Sequence, residues 1–247
     1  MILLPAIDLI DGVCVRLTRG DYATSAKVAD DPVETAKSFE AMGAEWLHVV
    51  DLDGAKAGAP VNVDVIEKVR RATGLRIEVG GGVRTLNAVK RYIDLGLDRV
   101  ILGSAAINDP ELVREAVDSY GGAIAVGIDA KNGRVRAGGW LEDGGTDYLK
   151  LAAAVDGAGV STIIYTDISK DGMLAGPNLG ELSLINDKVG ADVIASGGVR
   201  DLGDIRDLMN IGVSGAICGK SVYAGTLDLA AAIRLSGAGP VTANSTK

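Results

Sequence analysis

The sequence predicts an α/β fold, a single (β/α)8 TIM barrel built from two duplicated half-barrels. Three observations predict it. Eight short apolar runs alternate with amphipathic segments about ten to fifteen residues long, the pattern of successive βα units. The runs are apolar almost throughout, as strands are when helices cover the outer face of a parallel sheet. The second half of the chain also repeats the first at a nearly constant offset. A chain of 247 residues suits one large core rather than two ordinary domains, and eight units in that length favour a closed barrel over an open doubly wound sheet.

The strands are expected at ILLPAID (2–8), EWLHVVD (45–51), LRIEVG (75–80), DRVILG (98–103), AIAVGID (123–129), STIIYTD (161–167), ADVIASG (191–197) and SGAICG (214–219). Helices are expected within 31–43, 62–74, 85–96, 109–122, 146–159, 178–190 and 201–212, because each segment opens near Asp, Asn or Thr and closes on Gly, the side chains that cap helix ends. A last helix is expected over 226–235, ending a catalytic barrel domain that spans 1–235. The small, polar stretch 236–247 reads as a disordered C-terminal tail. Two connections, LTRGDYATSAKVADD (17–31) and GGWLEDGGTD (138–147), are long for a barrel and are expected to close over a bound substrate.

The hexapeptides VGGGVR (79–84) and ASGGVR (195–200) expose the duplication. Gly81 and Gly197 stand 116 positions apart, and the same offset carries Gly43 to Gly159, Asp51 to Asp167, Arg84 to Arg200, Gly96 to Gly212 and Gly103 to Gly219. For the first strand of each half the offset becomes 121, which pairs PAIDLIDG with VGIDAKNG and Asp8 with Asp129. Equivalent strands of two fused halves lie on opposite sides of a barrel mouth, so a feature built once is built twice across an axis.

Composition removes several function classes. A net charge of −8 argues against a nucleic-acid surface, which needs clustered Lys and Arg to displace counterions. No apolar run approaches the roughly 18 residues of a membrane span, and MILLPAIDLI lacks a basic start and carries Asp8, so a cytoplasmic protein without membrane association is expected. Cys14 and Cys218 read as reduced core thiols, and a single histidine, His48, cannot build a multi-histidine metal site. A monomer with no bound metal is expected.

The repeated glycines fall where the third, fourth, seventh and eighth strands end, on the C-terminal rim where barrel active sites sit. Without Cβ atoms their backbone N–H groups can approach an anion closely, and a following helix N-terminus adds a favourable dipole. Two facing phosphate cradles are therefore expected, one from Gly81, Gly82, Gly103 and Ser104, the other from Gly197, Gly198, Gly219 and Lys220. Tight βα turns would also use such glycines.

Carboxylates share this rim. Asp8 ends the first strand and Asp129 the fifth, opposite each other by the duplication, and Asp171 follows the sixth strand shortly after Thr166. Asp11, Asp21, Asp53 and Asp143 read instead as caps or ion-pair partners. Two acids facing across a site between two anion cradles suit paired acid–base chemistry on a neutral polyhydroxylated centre.

LLPAIDLIDGVCVRL, HVVDLDGAK, VGGGVR, GIDAKNG, TDISKDGMLAGPN and ASGGVR together resemble the phosphoribosyl isomerases of histidine biosynthesis, the phosphoribosylformimino-5-aminoimidazole carboxamide ribotide (ProFAR) isomerase family. The resemblance runs from Met1 to about Leu235, and TDISKDGMLAGPN is its most specific part. It implies a cofactor-free Amadori rearrangement of the aminoaldose ProFAR to an aminoketose, PRFAR, and a small-molecule substrate with a phosphate at each end. By resemblance Asp8 is the general base and Asp129 the general acid, with Thr166 and Asp171 lining the centre; the choice of proton donor between Asp129 and Asp171 stays open. Trp140 is the candidate to stack on the planar imidazole carboxamide.

Three alternatives remain at this stage. The related cyclase barrel of the same pathway shares the duplication and both aspartates, although the Thr-Asp-Ile opening of TDISKDGMLAGPN and the early LIDG favour the isomerase. A bifunctional isomerase that also takes phosphoribosylanthranilate would carry an Arg two residues before the loop tryptophan, where this chain has Gly138. A non-catalytic phosphosugar-binding barrel would need the cradles but not the pair Asp8 and Asp129.

Overall fold

A computed structural model describes residues 1–140 and 142–237, apart from the side chains of Glu142 and Asp143. Its strands are β1 (Ile2–Ile10), β2 (Val13–Thr18), β3 (Asp21–Ala29), β4 (Trp46–Asp51), β5 (Arg76–Gly80), β6 (Arg99–Leu102), β7 (Ile124–Lys131), β8 (Arg134–Ala137), β9 (Glu142–Asp147), β10 (Thr162–Asp167), β11 (Asp192–Ser196) and β12 (Gly215–Cys218). Eight of them pair in parallel in the ring β1, β4, β5, β6, β7, β10, β11, β12 and back to β1. The (β/α)8 barrel is therefore closed, and each predicted apolar run supplies one of its strands.

Period-two alternation assigns each strand two faces. Leu4, Ala6, Ile101, Ala125, Ile164, Ile194 and Ile217 form the apolar filling of the barrel interior. The alternate residues, among them Leu47, Val49, Ile77, Val79, Val126, Ile128 and Ile163, pack outward beneath the helices in the larger core. The interior phase also aims the acids. Leu4 and Ala6 lead to Asp8 on β1, Ala125 and Gly127 lead to Asp129 on β7, and Ile164 leads to Thr166 on β10, so each polar group emerges at the mouth one pleat above an apolar or small residue.

The outer helices follow the predicted caps. Asp31 accepts hydrogen bonds from the N–H groups of Val33 and Glu34 ahead of Pro32–Ala41, and Asp147 and Asp201 do the same for Tyr148–Gly157 and Leu202–Asn210. Asn62 precedes Val63–Ala72 without making a side-chain cap, because its side chain is committed to the rim. The last helix, Leu229–Gly237, starts later than expected and takes in Ser236 and Gly237; the rest of the predicted tail lies outside the described residues. No helix among the described residues is long and apolar enough to cross a membrane. Cys14 and Cys218 are buried free thiols, as expected.

The two connections read as long loops contain strands instead. β2 and β3 form an antiparallel hairpin on the end of β1, and β8 and β9 form its counterpart on β7. The turns that launch them are duplicated too: Asp11 and Gly12 have φ of 50° and 76°, Asn132 and Gly133 have 53° and 72°. Positive φ at both central residues is the hairpin geometry that Asp-Gly and Asn-Gly adopt most readily.

Candidate active site

All thirteen residues proposed from the sequence line one cavity at the C-terminal mouth of the barrel: Asp8, Gly81, Gly82, Gly103, Ser104, Asp129, Trp140, Thr166, Asp171, Gly197, Gly198, Gly219 and Lys220. Arg16, Tyr22, His48, Arg84, Arg136 and Ser196 line it as well and were not anticipated. Four cations, Arg16, Arg84, Arg136 and Lys220, thus face one cavity of a protein whose net charge is −8.

Arg16 organises the acids. It stands on β2, and its Nη1 donates to Asp8 Oδ2 at 2.8 Å with both side chains about one-seventh exposed. The guanidinium also lies against Gly219, where a Cβ would collide with it. Burial pushes the Asp171 carboxyl up to about 6, the neighbouring charges of Asp8 and Asp129 push the same way, and Arg16 opposes them. Asp129 is raised by burial against hydrogen bonds from Trp140 and Thr166. Low solvent access therefore biases both Asp129 and Asp171 toward the protonated form, like charges add to this at Asp171, and Arg16 pairs directly with Asp8.

The glycines do two jobs. Gly81 and Gly197 have φ of 103° and 89°, and a Cβ on Gly82 would lie 2.5 Å from the Gly54 carbonyl and 2.7 Å from that of Ala59. At Gly198, φ 87°, a Cβ would collide with the Gly176 carbonyl. These glycines let the preceding βα loop lie directly on the strand end, so the tight-turn reading holds for them even though they also face the cavity. Gly103 differs: nothing lies within 4 Å of its would-be Cβ, which would enter open space. Each of the two predicted cradles is tied to a loop, since Ser104 Oγ accepts from the Gly138 N–H at 3.0 Å and Lys220 Nζ donates to the Gly172 carbonyl at 2.7 Å.

The duplication extends to the loop anchors. Asp51 accepts from the Asn62 amide Nδ2 at 2.7 Å, and Asp167 accepts from Asn178 Nδ2 at 2.7 Å, two pairs related by the 116-residue offset. The repeated arginines diverge. Arg84 lines the cavity, whereas Arg200 is engaged by Asp201 and Asp204. Of the two repeat-related ends of the cavity, one thus presents Arg84 and the other Lys220. Of the acids read as structural, Asp53 accepts from Asp11 N–H at 2.7 Å and Asp21 accepts from Ala23 N–H at 2.9 Å; the Asp143 side chain lies outside the described residues. Trp140, with φ 74°, lies across the mouth so closely over Gly20 that no Cβ fits there, which joins the two duplicated hairpins.

A family model described as histidine biosynthesis protein matches residues 2–228 of this chain. The chain belongs to that family. Relatives within this histidine biosynthesis family include proteins of Clostridium botulinum (strain Okra / Type B1), 47% identical over 235 residues, and Clostridium beijerinckii, 49% identical over 236 residues. A third, from Listeria welshimeri, is 49% identical over 229 residues. The alignments cover 95%, 96% and 93% of this chain and 97%, 98% and 95% of the respective relatives. Each relative is named 1-(5-phosphoribosyl)-5-((5-phosphoribosylamino)methylideneamino) imidazole-4-carboxamide isomerase.

Proposed function

We propose that this chain is the isomerase that converts ProFAR to PRFAR, an aldose to a ketose, in histidine biosynthesis. The observation that carries the reading is a single cavity with carboxylates on opposite strands, Asp8 and Asp129, between two glycine-walled ends that each have a cation. That layout matches a substrate with a phosphoribosyl group at each end, as the relatives' name describes. The sequence relationship favours none of the cyclase, bifunctional or non-catalytic alternatives.

In this reading a protonated carboxyl, Asp129 with Asp171 able to stand in, gives its proton to the ribose ring oxygen. The C1′–O bond breaks and the nitrogen lone pair forms C1′=N. Asp8 then takes the proton from C2′; the C–H electron pair becomes C1′=C2′, and the C=N pair returns to nitrogen. Loss of the hydroxyl proton at C2′ and protonation at C1′ give the aminoketose with no net redox change. Arg16 holds Asp8 in place, and Thr166 and Trp140 hold Asp129. In the bound state Trp140 stacks on the imidazole carboxamide. We take the working unit to be a monomer, and two buried free thiols, Cys14 and Cys218, fit the reducing cytoplasm.

The cradles are tested by two glycine substitutions with opposite signatures. Gly103→Ala enters open space in the first cradle and should raise KM for ProFAR several-fold with kcat and thermal stability nearly unchanged, because a cradle holds ground and transition states alike. Gly198→Ala meets a carbonyl at positive φ and should lower stability by at least about 1 kcal/mol in chemical denaturation. An unchanged KM in Gly103→Ala would remove the first cradle from the binding site.

A further inference from the structure

Beneath the acids, the duplication breaks where one half alone carries buried charge. His48, Glu78 and Arg99 are register partners on β4, β5 and β6, and all three occupy the interior phase of the barrel. His48 Nδ1 lies 2.6 Å from Glu78 Oε1, Arg99 Nε donates to Glu78 Oε2 at 2.9 Å, and Arg99 Nη1 reaches past β7 to Thr162 Oγ1 on β10 at 3.0 Å. The Arg99 guanidinium also sits 4.5 Å from the centre of the Trp46 ring. At the 116-residue offset the three positions are Ile164, Ile194 and Gly215. Ile164 and Ile194 belong to the apolar filling, so the other half of the same barrel closes without any charge at this level.

Folding alone does not account for the array. A buried ion pair gives back much of its attraction as lost hydration, and apolar replacements of similar volume are often neutral or stabilising. The array does fix one orientation. Ionised Glu78 can only accept, so Nδ1 of His48 carries the hydrogen between them. Although burial alone pushes Glu78 up, His48 and Arg99 hold its carboxyl below the ordinary range, which keeps it an acceptor. Nε2, on the opposite edge of the ring, makes no hydrogen bond among the described residues, and His48 lines the active cavity one pleat below the level of Asp8.

We propose that His48 is a substrate-contacting residue whose Nε2 accepts a hydrogen bond from a sugar hydroxyl of the aminoaldose and of its aminoketose product, and that Glu78 and Arg99 are positioning residues that fix its tautomer and ring direction. The proposal rests on the isomerase reading. It gives the floor of the cavity a polar contact between the two phosphate sites, where the reacting polyol of a doubly anchored substrate must lie.

His48 is the chain's one histidine, so the wild-type protein labelled with 15N-histidine gives a single pair of ring-nitrogen signals. In the free protein at pH 8.5 we expect the hydrogen on Nδ1, facing Glu78, and a bare Nε2. Saturation with the aminoketose product should move the Nε2 signal toward the hydrogen-bonded range and leave Nδ1 nearly still, and inorganic phosphate at both cradles should move neither. Binding of the product, followed by calorimetry on the same sample, separates the two readings. A product that binds without moving Nε2 overturns the role of His48 alone. A product that does not bind overturns the isomerase reading, and this proposal with it. In parallel, His48→Ile, which installs the residue found at the duplicate position, should fold and lose at least tenfold in kcat/KM, with His48→Gln recovering part of the loss because its amide reaches the place of Nε2. A His48→Ile protein with wild-type kcat/KM would also overturn it.

Discussion

Asp8→Asn should lower kcat for ProFAR by roughly 10²- to 10⁴-fold, the usual contribution of a positioned acid or base, with KM little changed. The substitution keeps the shape of the side chain and an oxygen that still accepts from Arg16 Nη1, so the cavity should survive. Asp171 remains close enough to Arg16 to share its charge. What disappears is the lone-pair basicity that removes the C2′ proton. Circular dichroism and a melting curve should match the wild type. A variant with near-wild-type kcat and an intact fold would exclude Asp8 as the base.

Asp171 connects activity and stability through pH. Its carboxyl is pushed from 3.8 to about 6 on folding, so between these values the folded state holds a proton that the unfolded chain has released. The stability it contributes is therefore fully present below about pH 4 and lost as pH rises through 6. Above that, the ionised group is a cost of at most about 3 kcal/mol at 1.4 kcal/mol per unit. Asp171→Asn should accordingly raise Tm by several degrees at pH 8 and by much less at pH 4. The same substitution should lower kcat and remove the decline in kcat/KM above pH 6 to which Asp171 contributes in the wild type. Asp129→Asn should lower kcat too, and combining it with Asp171→Asn should give a loss that differs from the product of the single losses, because the two carboxyls share one duty. An Asp171→Asn protein with the wild-type pH profile and no gain in Tm at pH 8 would contradict the assignment.

The barrel was legible because its signals are periodic and redundant. ILLPAID or STIIYTD fits a strand buried on both faces, Asp and Thr mark where helices start, and the 116-residue offset states the symmetry outright. The β2–β3 and β8–β9 hairpins were not read, although Asp11-Gly12 and Asn132-Gly133 are strong hairpin turns. DYATSAKVA gives little alternation because most of β3 is exposed, so the pattern that betrays a half-buried strand is missing. Arg16 was overlooked with its hairpin, since its relation to Asp8 exists only once β2 folds back on β1.

Other parts of the site had weaker signals. The glycines of the twin hexapeptides could be read as cradles or turns, because a close carbonyl and a close phosphate make the same demand, no Cβ. Only coordinates separate Gly103, open to the cavity, from Gly82 and Gly198, closed by loop backbone. His48, Glu78 and Arg99 did leave a trace in the sequence: each is a polar interruption of an apolar strand in the inward phase, with Ile, Ile and Gly at the duplicate positions.

The most direct test of the account is turnover. Purified protein should be offered ProFAR and phosphoribosylanthranilate in separate reactions, the first followed by absorbance and the second by fluorescence. The account predicts multiple turnovers of ProFAR to PRFAR by the wild-type chain; a folded protein that converts neither compound would contradict it.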